Sequence, residues 1–117
     1  MKKQLFTRVQ TKNISLSEMQ NYRSIHGWDD EADDYLRVDG LACCSGFPYS
    51  LNFGGTGGGD DETDEIVVFA GRWIENIYDG CVAYPTEIVA RMSKVEYEAM
   101  VESDEQYERF STEEYEY

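Results

Sequence analysis

Residues 66–92 read IVVFAGRWIENIYDGCVAYPTEIVARM, the only long segment of the chain in which apolar residues dominate and charges are sparse. This segment holds three acids and two bases, so it accounts for one of the fourteen net negative charges of the 117-residue protein. The other thirteen lie outside it. The sequence therefore describes a nearly neutral scaffold that carries an intensely acidic exterior.

The segment predicts a bent antiparallel hairpin. Residues 66–78 are rich in β-branched and aromatic side chains with a partly alternating pattern, which favours strands, and Gly71 among them is typical of a bulge. Asp79-Gly80 predicts the turn, because a type I′ turn requires positive φ at both central positions. Pro85 has no amide proton to donate, so we expect the returning strand to be interrupted there or to lie at a sheet edge.

A strand and a helix are predicted before this hairpin. Residues 5–10 alternate between apolar and polar side chains, which favours a strand. Ser15 and Glu18 form a capping box, in which the serine oxygen accepts the N3 amide proton and the glutamate bonds back to the cap amide. Apolar residues at three- and four-residue spacing extend the helix over residues 16–26, and Gly27 suits the left-handed position after its end.

Two further elements are predicted because the same local patterns, an Asp-Gly dipeptide and a capping box, occur a second time. The dipeptide Asp-Gly recurs at residues 39–40, between apolar residues 35–38 and 41–44, and predicts a second hairpin. A second capping box at residues 93–96 begins another helix, which the apolar stripe extends over residues 94–103. The chain therefore combines several strands with two short helices.

These elements indicate an α+β fold: an antiparallel sheet of four to five strands with both helices packed on one face. A chain of this length buries about two thirds of its unfolded surface in one core, so we expect a single compact domain over residues 1–117. Within it, residues 54–59 (GGTGGG) predict a mobile loop, because glycine has the greatest backbone freedom. Residues 104–117 form an acidic C-terminal segment.

The cysteines point to a reducing compartment. Cys43, Cys44 and Cys81 are odd in number and two of them are adjacent, which argues against a secreted disulfide framework. The opening residues MKKQLFTRVQ lack the apolar stretch and cleavage site of a signal peptide, so we expect a cytoplasmic protein. No CxxC spacing supports a zinc site with His26, and we interpret the cysteines as small buried hydrophobes.

Patterns for metals and nucleotides fail on specific residues. Asp60, Glu62 and Asp64 alternate as in a calcium loop, but Glu65 stands where the sharp turn needs glycine, and Gly71 stands where the loop needs its closing glutamate. The glycine-rich loop is followed by acids instead of the lysine that a phosphate-binding loop requires. We therefore expect no metal, no cofactor and no enzymatic activity. Paired carboxylates are uninformative where 24 of 117 residues are acidic, so a small carboxylate-dependent hydrolase or transferase remains the alternative of another class.

The acids gather in three clusters, whereas adaptation to high salt would spread them evenly. A solvated face, or solubility alone, stays open as an alternative explanation of the acidity. Aromatic residues among them add rigid anchors of the kind found at interface hot spots. We expect the last cluster to contribute most. The predicted partner-binding residues are Trp28, Asp29, Asp30, Glu31, Asp33, Asp34, Asp60, Asp61, Glu62, Asp64, Glu102, Asp104, Glu105, Tyr107 and Glu108.

The charge density of the last cluster invites comparison with DNA. Residues 96–117 hold nine acids and a single base. If these residues formed one continuous helix, they would carry one acid per ~3.7 Å, against ~3.4 Å per phosphate along one DNA strand. A net charge of −14 would repel nucleic acid and anionic membranes, so the expected partner is a basic protein.

In size and charge the chain is similar to DNA-mimicking inhibitors, among them phage anti-restriction and anti-CRISPR proteins, and to immunity proteins that block nuclease toxins. The first resemblance implies a non-catalytic inhibitor that occupies the basic nucleic-acid-binding surface of a nuclease or effector complex, in the cytoplasm of a bacterial host if the protein is phage-encoded. The second implies an immunity protein against one nuclease toxin. Neither resemblance identifies a target or transfers individual site residues.

Overall fold

The computed structural model describes residues 3–45, 62–77, 80–105, 109–110 and 115–116. The predictions for the loop at residues 54–59 and for Asp60, Asp61, Asp79, Tyr107 and Glu108 lie outside the described residues. The elements, in chain order, are β1 (Lys3–Thr11), α1 (Leu16–Gln20), β2 (Arg23–Asp29), β3 (Asp34–Asp39), β4 (Leu41–Ser45), β5 (Asp64–Ile77), β6 (Gly80–Met92), α2 (Lys94–Glu102) and β7 (Tyr115–Glu116).

The main sheet has the strand order β4-β6-β5-β1-β7. Its first four strands pair antiparallel, and the two-residue β7 pairs parallel with the start of β1. β1 also pairs with β4, through Phe6 opposite Ser45, so the sheet curls until its two sides meet. β2 and β3 form a separate two-stranded antiparallel sheet. The predicted class, a mostly antiparallel sheet with two short helices, is confirmed.

The central hairpin predicted from residues 66–92 is present as β5 and β6. Its register runs from Ile66 opposite Met92 to Ile77 opposite Gly80, with a shift beside Gly71 as predicted. β6 continues through Pro85 without a break, because that residue lies beyond the part of β6 that pairs with β4. Pro85 pairs with Gly71 of β5, and on its other side its missing amide proton deprives β4 of no hydrogen bond, as expected of an edge position.

The helices do not share one face of the sheet, so that part of the prediction is not confirmed. Leu5 belongs to a buried cluster that includes Tyr97 of α2, whereas Phe6 belongs to a second buried cluster that includes Met19 of α1. Consecutive residues of a strand point to opposite faces. The two helices therefore cover opposite faces of the sheet, and residues 5–10 of β1 and residues 66–70 of β5 are buried from both sides.

The first helix begins as predicted but ends early. Ser15 Oγ accepts a hydrogen bond of 3.0 Å from the amide of Glu18, which confirms the cap. α1 has only five residues, and the following segment pairs with β3 as strand β2. Gly27 therefore lies in β2, where the register shifts between Ile25 and Gly27, instead of ending a helix. Apolar spacing predicts a longer helix because it reflects only local periodicity and not the pairing with β3.

The second helix agrees with its prediction over Lys94–Glu102. Ser93 Oγ accepts from the amide of Glu96 at 3.1 Å, so the second capping box forms as well. Neither helix among the described residues is long and apolar enough to cross a membrane.

The second predicted hairpin, at residues 39–40, is wrong. β3 pairs with β2 instead of β4, and β4 pairs with β6 and β1. Gly40 has φ +133° and donates its amide to the carbonyl of Tyr22, so it bends the chain from one sheet into the other without reversing it. Ser24 Oγ joins the two sheets, since it donates to the Gly40 carbonyl at 2.8 Å and accepts from the Ala42 amide at 2.7 Å.

Candidate functional site

The β2–β3 hairpin, called the ribbon below, carries the first acidic cluster at its tip. We define the ribbon tip as residues 28–35. Asp29 Oδ1 closes the turn, because it accepts from the amide of Glu31 at 3.0 Å and from that of Ala32 at 3.3 Å. Asp33 has φ +52°, a left-handed conformation that aspartate tolerates better than most residues. The acids of this cluster therefore both build the turn and charge it.

The tip acids face solvent. Asp30, Glu31, Asp33 and Asp34 are exposed, and Asp29 is half-buried by its turn contacts. Within the described part of the chain, none of the five forms an ion pair. The ribbon tip thus presents five carboxylates whose charge no described base neutralises.

Large apolar side chains are concentrated on the same ribbon. Trp28 is 53% exposed and lies opposite Tyr35, which is 51% exposed. Their rings meet edge to face, with centroids 5.3 Å apart. Of the seven large hydrophobic side chains that are exposed among the described residues, five lie between residues 22 and 36. An exposed aromatic pair beside carboxylates has the composition found at protein interfaces rather than in protein cores.

The second acidic cluster is partly structural. Glu65 Oε2 accepts from the amide of Asn13 at 2.8 Å and pairs with Arg91 at 3.0 Å, so this carboxylate ties β5 to the chain after β1. Asp64 begins β5 opposite Thr11 and is half-buried. Glu62 is exposed in the turn before it. Of the predicted partner-binding residues in this cluster that the structure describes, only Glu62 is fully presented to solvent.

The third cluster does not form a continuous helix. Glu102 is the last residue of α2, and Asp104 adopts φ +60° while the amide of Glu105 donates to the Met100 carbonyl at 2.9 Å. This left-handed turn ends the helix. The condition for matching the phosphate spacing of DNA along residues 96–117 is therefore not met, although Glu102, Asp104 and Glu105 are all exposed.

The three clusters thus lie on three different elements: the ribbon tip, the start of β5 and the end of α2. Only the ribbon tip combines its acids with exposed aromatic side chains, among the residues that the structure describes. Comparisons with models of protein families, with characterised proteins and with solved structures give no match. The chemistry of the ribbon is therefore the strongest basis for a functional hypothesis.

Two of the cysteines form a buried pair that the sequence did not indicate. Cys43 and Cys81 are fully buried and lie opposite each other on β4 and β6, with their sulfur atoms 3.7 Å apart. The hydrogen bond with Cys43 lowers the pKa of the Cys81 thiol. In the described ranges, no group of three or more histidine, cysteine, aspartate or glutamate side chains is arranged to hold a metal ion.

Replacing Cys43 and Cys81 together with alanine is expected to lower the free energy of unfolding by about 1–3 kcal/mol, because two buried side chains become smaller. Urea denaturation in the presence of a reductant measures the change. Binding through the ribbon should be unaffected in the folded variant. A folded variant that no longer binds its partner would show that the pair has a role beyond packing.

A second feature that the sequence did not reveal is a pocket at the base of the ribbon, where the ribbon meets β1 and β4. Its volume is about 190 Å³. We call it the arginine pocket, because Arg8, Arg23 and Arg37 line it together with Tyr22 and Ser24. Arg8 belongs to β1, Arg23 and Ser24 to β2, and Arg37 to β3, while Tyr22 precedes β2. No regular spacing in the sequence therefore indicates this pocket.

Proposed function

We propose that the protein is a small acidic inhibitor without catalytic activity. It blocks the basic nucleic-acid-binding surface of a nuclease or effector complex by presenting carboxylates where DNA presents phosphates, and its biological setting is phage counter-defence of the anti-CRISPR or anti-restriction type. The observation that carries this proposal is the ribbon tip, where five acids surround the exposed Trp28–Tyr35 pair.

The exposure of the ribbon supports a docking role. Five of the six residues of β3 are exposed and the sixth is half-buried, so neither face of this strand is fully covered by the rest of the chain. A two-stranded hairpin without a packed face is only marginally stable in water. Burial of Trp28 and Tyr35 against a partner removes apolar surface from water and orders the ribbon, which favours association.

The charge of the ribbon tip supports a basic partner. Because the five tip carboxylates have no described ion-pair partner, lysine and arginine side chains of another protein can neutralise them without breaking an internal ion pair. Such charges act mainly on the association rate through long-range attraction, which salt screens with a Debye length of about 8 Å at physiological ionic strength. Association with the partner should therefore slow as the salt concentration rises.

The test neutralises the ribbon tip without removing its turn. Asp29, Asp30, Asp33 and Asp34 are changed to Asn and Glu31 to Gln, and the side-chain amide oxygen introduced at position 29 can still accept the two turn hydrogen bonds. We expect affinity for the captured partner to fall about ten- to a hundredfold, since each exposed pair contributes roughly 0.2–1 kcal/mol. Surface plasmon resonance at low and high salt measures affinity and association rate with an enzyme captured from a bacterial lysate.

A comparison variant removes the same number of charges from the second and third acidic clusters, at Glu62, Glu98, Glu102, Asp104 and Glu105. It should weaken binding much less than the tip variant. This comparison reverses the sequence-based expectation that the last cluster contributes most, because among the described residues only the ribbon tip combines its acids with an exposed aromatic pair. Duplex DNA should displace the captured enzyme from the wild-type protein, as mimicry of DNA requires. If DNA does not compete while the tip variant still loses binding, the protein acts beside the active centre, as an immunity protein does. Equal losses in both variants, or association rates independent of salt, would contradict the proposal.

A further inference from the structure

Three of the ten basic residues of this acidic chain converge on the arginine pocket. Arg8 comes from the main sheet, whereas Arg23 and Arg37 come from the two strands of the ribbon. The pocket lies at the base of the ribbon, so it is distinct from the ribbon tip on which the proposed function rests. A local excess of positive charge in a chain of net charge −14 is a feature that needs a physical reason.

Arg8 is the central group of the pocket, because it is a buried cation. Arg8 is only 3% exposed. One terminal nitrogen of its guanidinium donates to the carbonyl of Ala42, and the guanidinium carbon lies 4.8 Å from the ring centroid of Tyr22. Its Nε has no hydrogen-bond partner among the residues that the structure describes. Within the described residues no carboxylate forms an ion pair with Arg8.

Burial has a measurable consequence for this side chain. It lowers the pKa of the Arg8 guanidinium, and the neighbouring Tyr22 and Cys43 side chains oppose that effect in part. Arginine nevertheless stays protonated in proteins, so the pocket holds a full positive charge. A buried charge is costly unless a counter-ion and hydrogen bonds satisfy it. The Ala42 carbonyl and the Tyr22 side chain, through its ring and a hydrogen bond, satisfy part of this guanidinium, and no described carboxylate balances its charge.

The two other arginines differ in what they already bind. Arg23 pairs with Asp39 through Nε and Oδ1 at 2.9 Å. Arg37 is exposed and forms no ion pair with the described residues. Arg8 of β1 and Arg37 of β3 therefore both line the pocket with guanidinium groups that no described carboxylate pairs with.

We propose that the arginine pocket binds a phosphate group, free or as the monoester of a small metabolite. The planar fork of a guanidinium matches phosphate oxygens in two parallel hydrogen bonds, and a doubly charged anion supplies the counter-charge that Arg8 lacks. The volume of about 190 Å³ is well above the ~10–15 Å³ that a single water molecule requires, which leaves room for a phosphate and part of its ester. The ligand bridges the main sheet and the ribbon, since the arginines belong to both.

Isothermal titration calorimetry of the full chain with inorganic phosphate tests the proposal, at constant ionic strength set with sodium chloride. The wild-type protein should show saturable binding. Arg37→Gln should raise the dissociation constant by about tenfold or more, because a charge-assisted hydrogen bond is lost. The matched control is Arg72→Gln, an exposed arginine that lies over the ring of Tyr84 outside the pocket, and it should change the constant less than about twofold.

A second measurement addresses Arg8 without depending on an unstable variant. Because phosphate bridges the two sheets, it should raise the melting temperature of the wild-type protein in a concentration-dependent way. The rise should shrink in Arg8→Lys, which keeps the charge but loses the fork, relative to the melting temperature of the same variant without phosphate. Adenosine monophosphate forms a second arm: equal affinity identifies the phosphate group as sufficient, and tighter binding identifies a monoester as the ligand.

Absence of saturable heat with both ligands would overturn the proposal. So would an equal loss of affinity in Arg37→Gln and Arg72→Gln, because binding would then follow overall charge instead of the pocket. The outcome is independent of the ribbon tip, whose neutralised variant should retain phosphate binding.

Discussion

Replacing Gly40 with alanine is expected to lower the free energy of unfolding by about 2–6 kcal/mol. Gly40 has φ +133°, a conformation that side chains rarely adopt. A Cβ atom there would also lie 2.9 Å from Val82 Cγ1, 3.0 Å from the Ala83 carbonyl oxygen and 3.0 Å from Ile74 Cδ1. Backbone strain contributes about 1–3 kcal/mol and overpacking a similar amount.

The matched control is Gly27→Ala. Gly27 also has a positive φ, of +156°, but no heavy atom lies within 4 Å of a Cβ built there. The free energy of unfolding of the Gly27→Ala variant should therefore fall only by the contribution of backbone strain, about 1–3 kcal/mol at most. Urea denaturation of the two variants measures the difference. Equal losses would show that the close packing of Gly40 against β5 and β6 contributes nothing to stability.

The position of Gly40 also predicts an effect of this substitution on phosphate binding. Its backbone holds the junction between the ribbon and the main sheet, through Tyr22 and Ser24, and both of these residues line the arginine pocket. A Gly40→Ala protein that still folds should bind phosphate more weakly than wild type. The same variant should keep its acidic ribbon tip, so binding of the basic partner should change less.

Replacing Phe69 with alanine is expected to lower the free energy of unfolding by about 3–5 kcal/mol, the usual loss for a buried phenylalanine. Phe69 is fully buried and stacks on Phe6, with ring centroids 5.6 Å apart. The resulting cavity would open beneath α1, whose Met19 packs in the same cluster. Because small domains are stable by only about 5–15 kcal/mol, the variant should be close to unfolding at body temperature.

Tyr35→Ala provides the comparison for Phe69→Ala, since it truncates an aromatic residue that is 51% exposed. Its loss of stability should stay within about 1 kcal/mol, whereas its effect on partner binding should be large if the ribbon tip is the docking surface. Thermal or urea denaturation separates the two variants. Similar losses of stability would mean that the ribbon is part of the core.

Local patterns in the sequence predicted much of the secondary structure. The run of apolar residues at 66–92 predicted the central hairpin, because burial on both faces of a strand demands such continuity. Both capping boxes form as predicted, since Ser15 and Ser93 need only an amide three residues away. Interactions of this short range depend little on the rest of the chain.

Predictions that depended on a distant partner were less successful. Residues 16–26 carry spacing that suits a helix, but pairing with β3 makes residues 23–26 part of a strand. The Asp-Gly dipeptide at residues 39–40 has the composition of a hairpin turn, yet β4 finds its partners in β6 and β1. Which strand pairs with which depends on the closure of the whole sheet, and this tertiary pairing overrides the local secondary-structure propensity of a segment.

Some features of the candidate sites likewise follow from the sequence alone, whereas others depend on the tertiary structure. The sequence by itself determined the excess of acid, its three clusters and the position of Trp28 beside the first of them, because charge and composition are properties of the residues alone. Only the tertiary structure decided that this cluster lies at the tip of a ribbon, that the last cluster leaves its helix after Glu102, and that three arginines share a pocket. These features depend on the tertiary structure because residues far apart in the chain must come together to form them. The pairing of β1 with β4 and the bend at Gly40 bring those residues together.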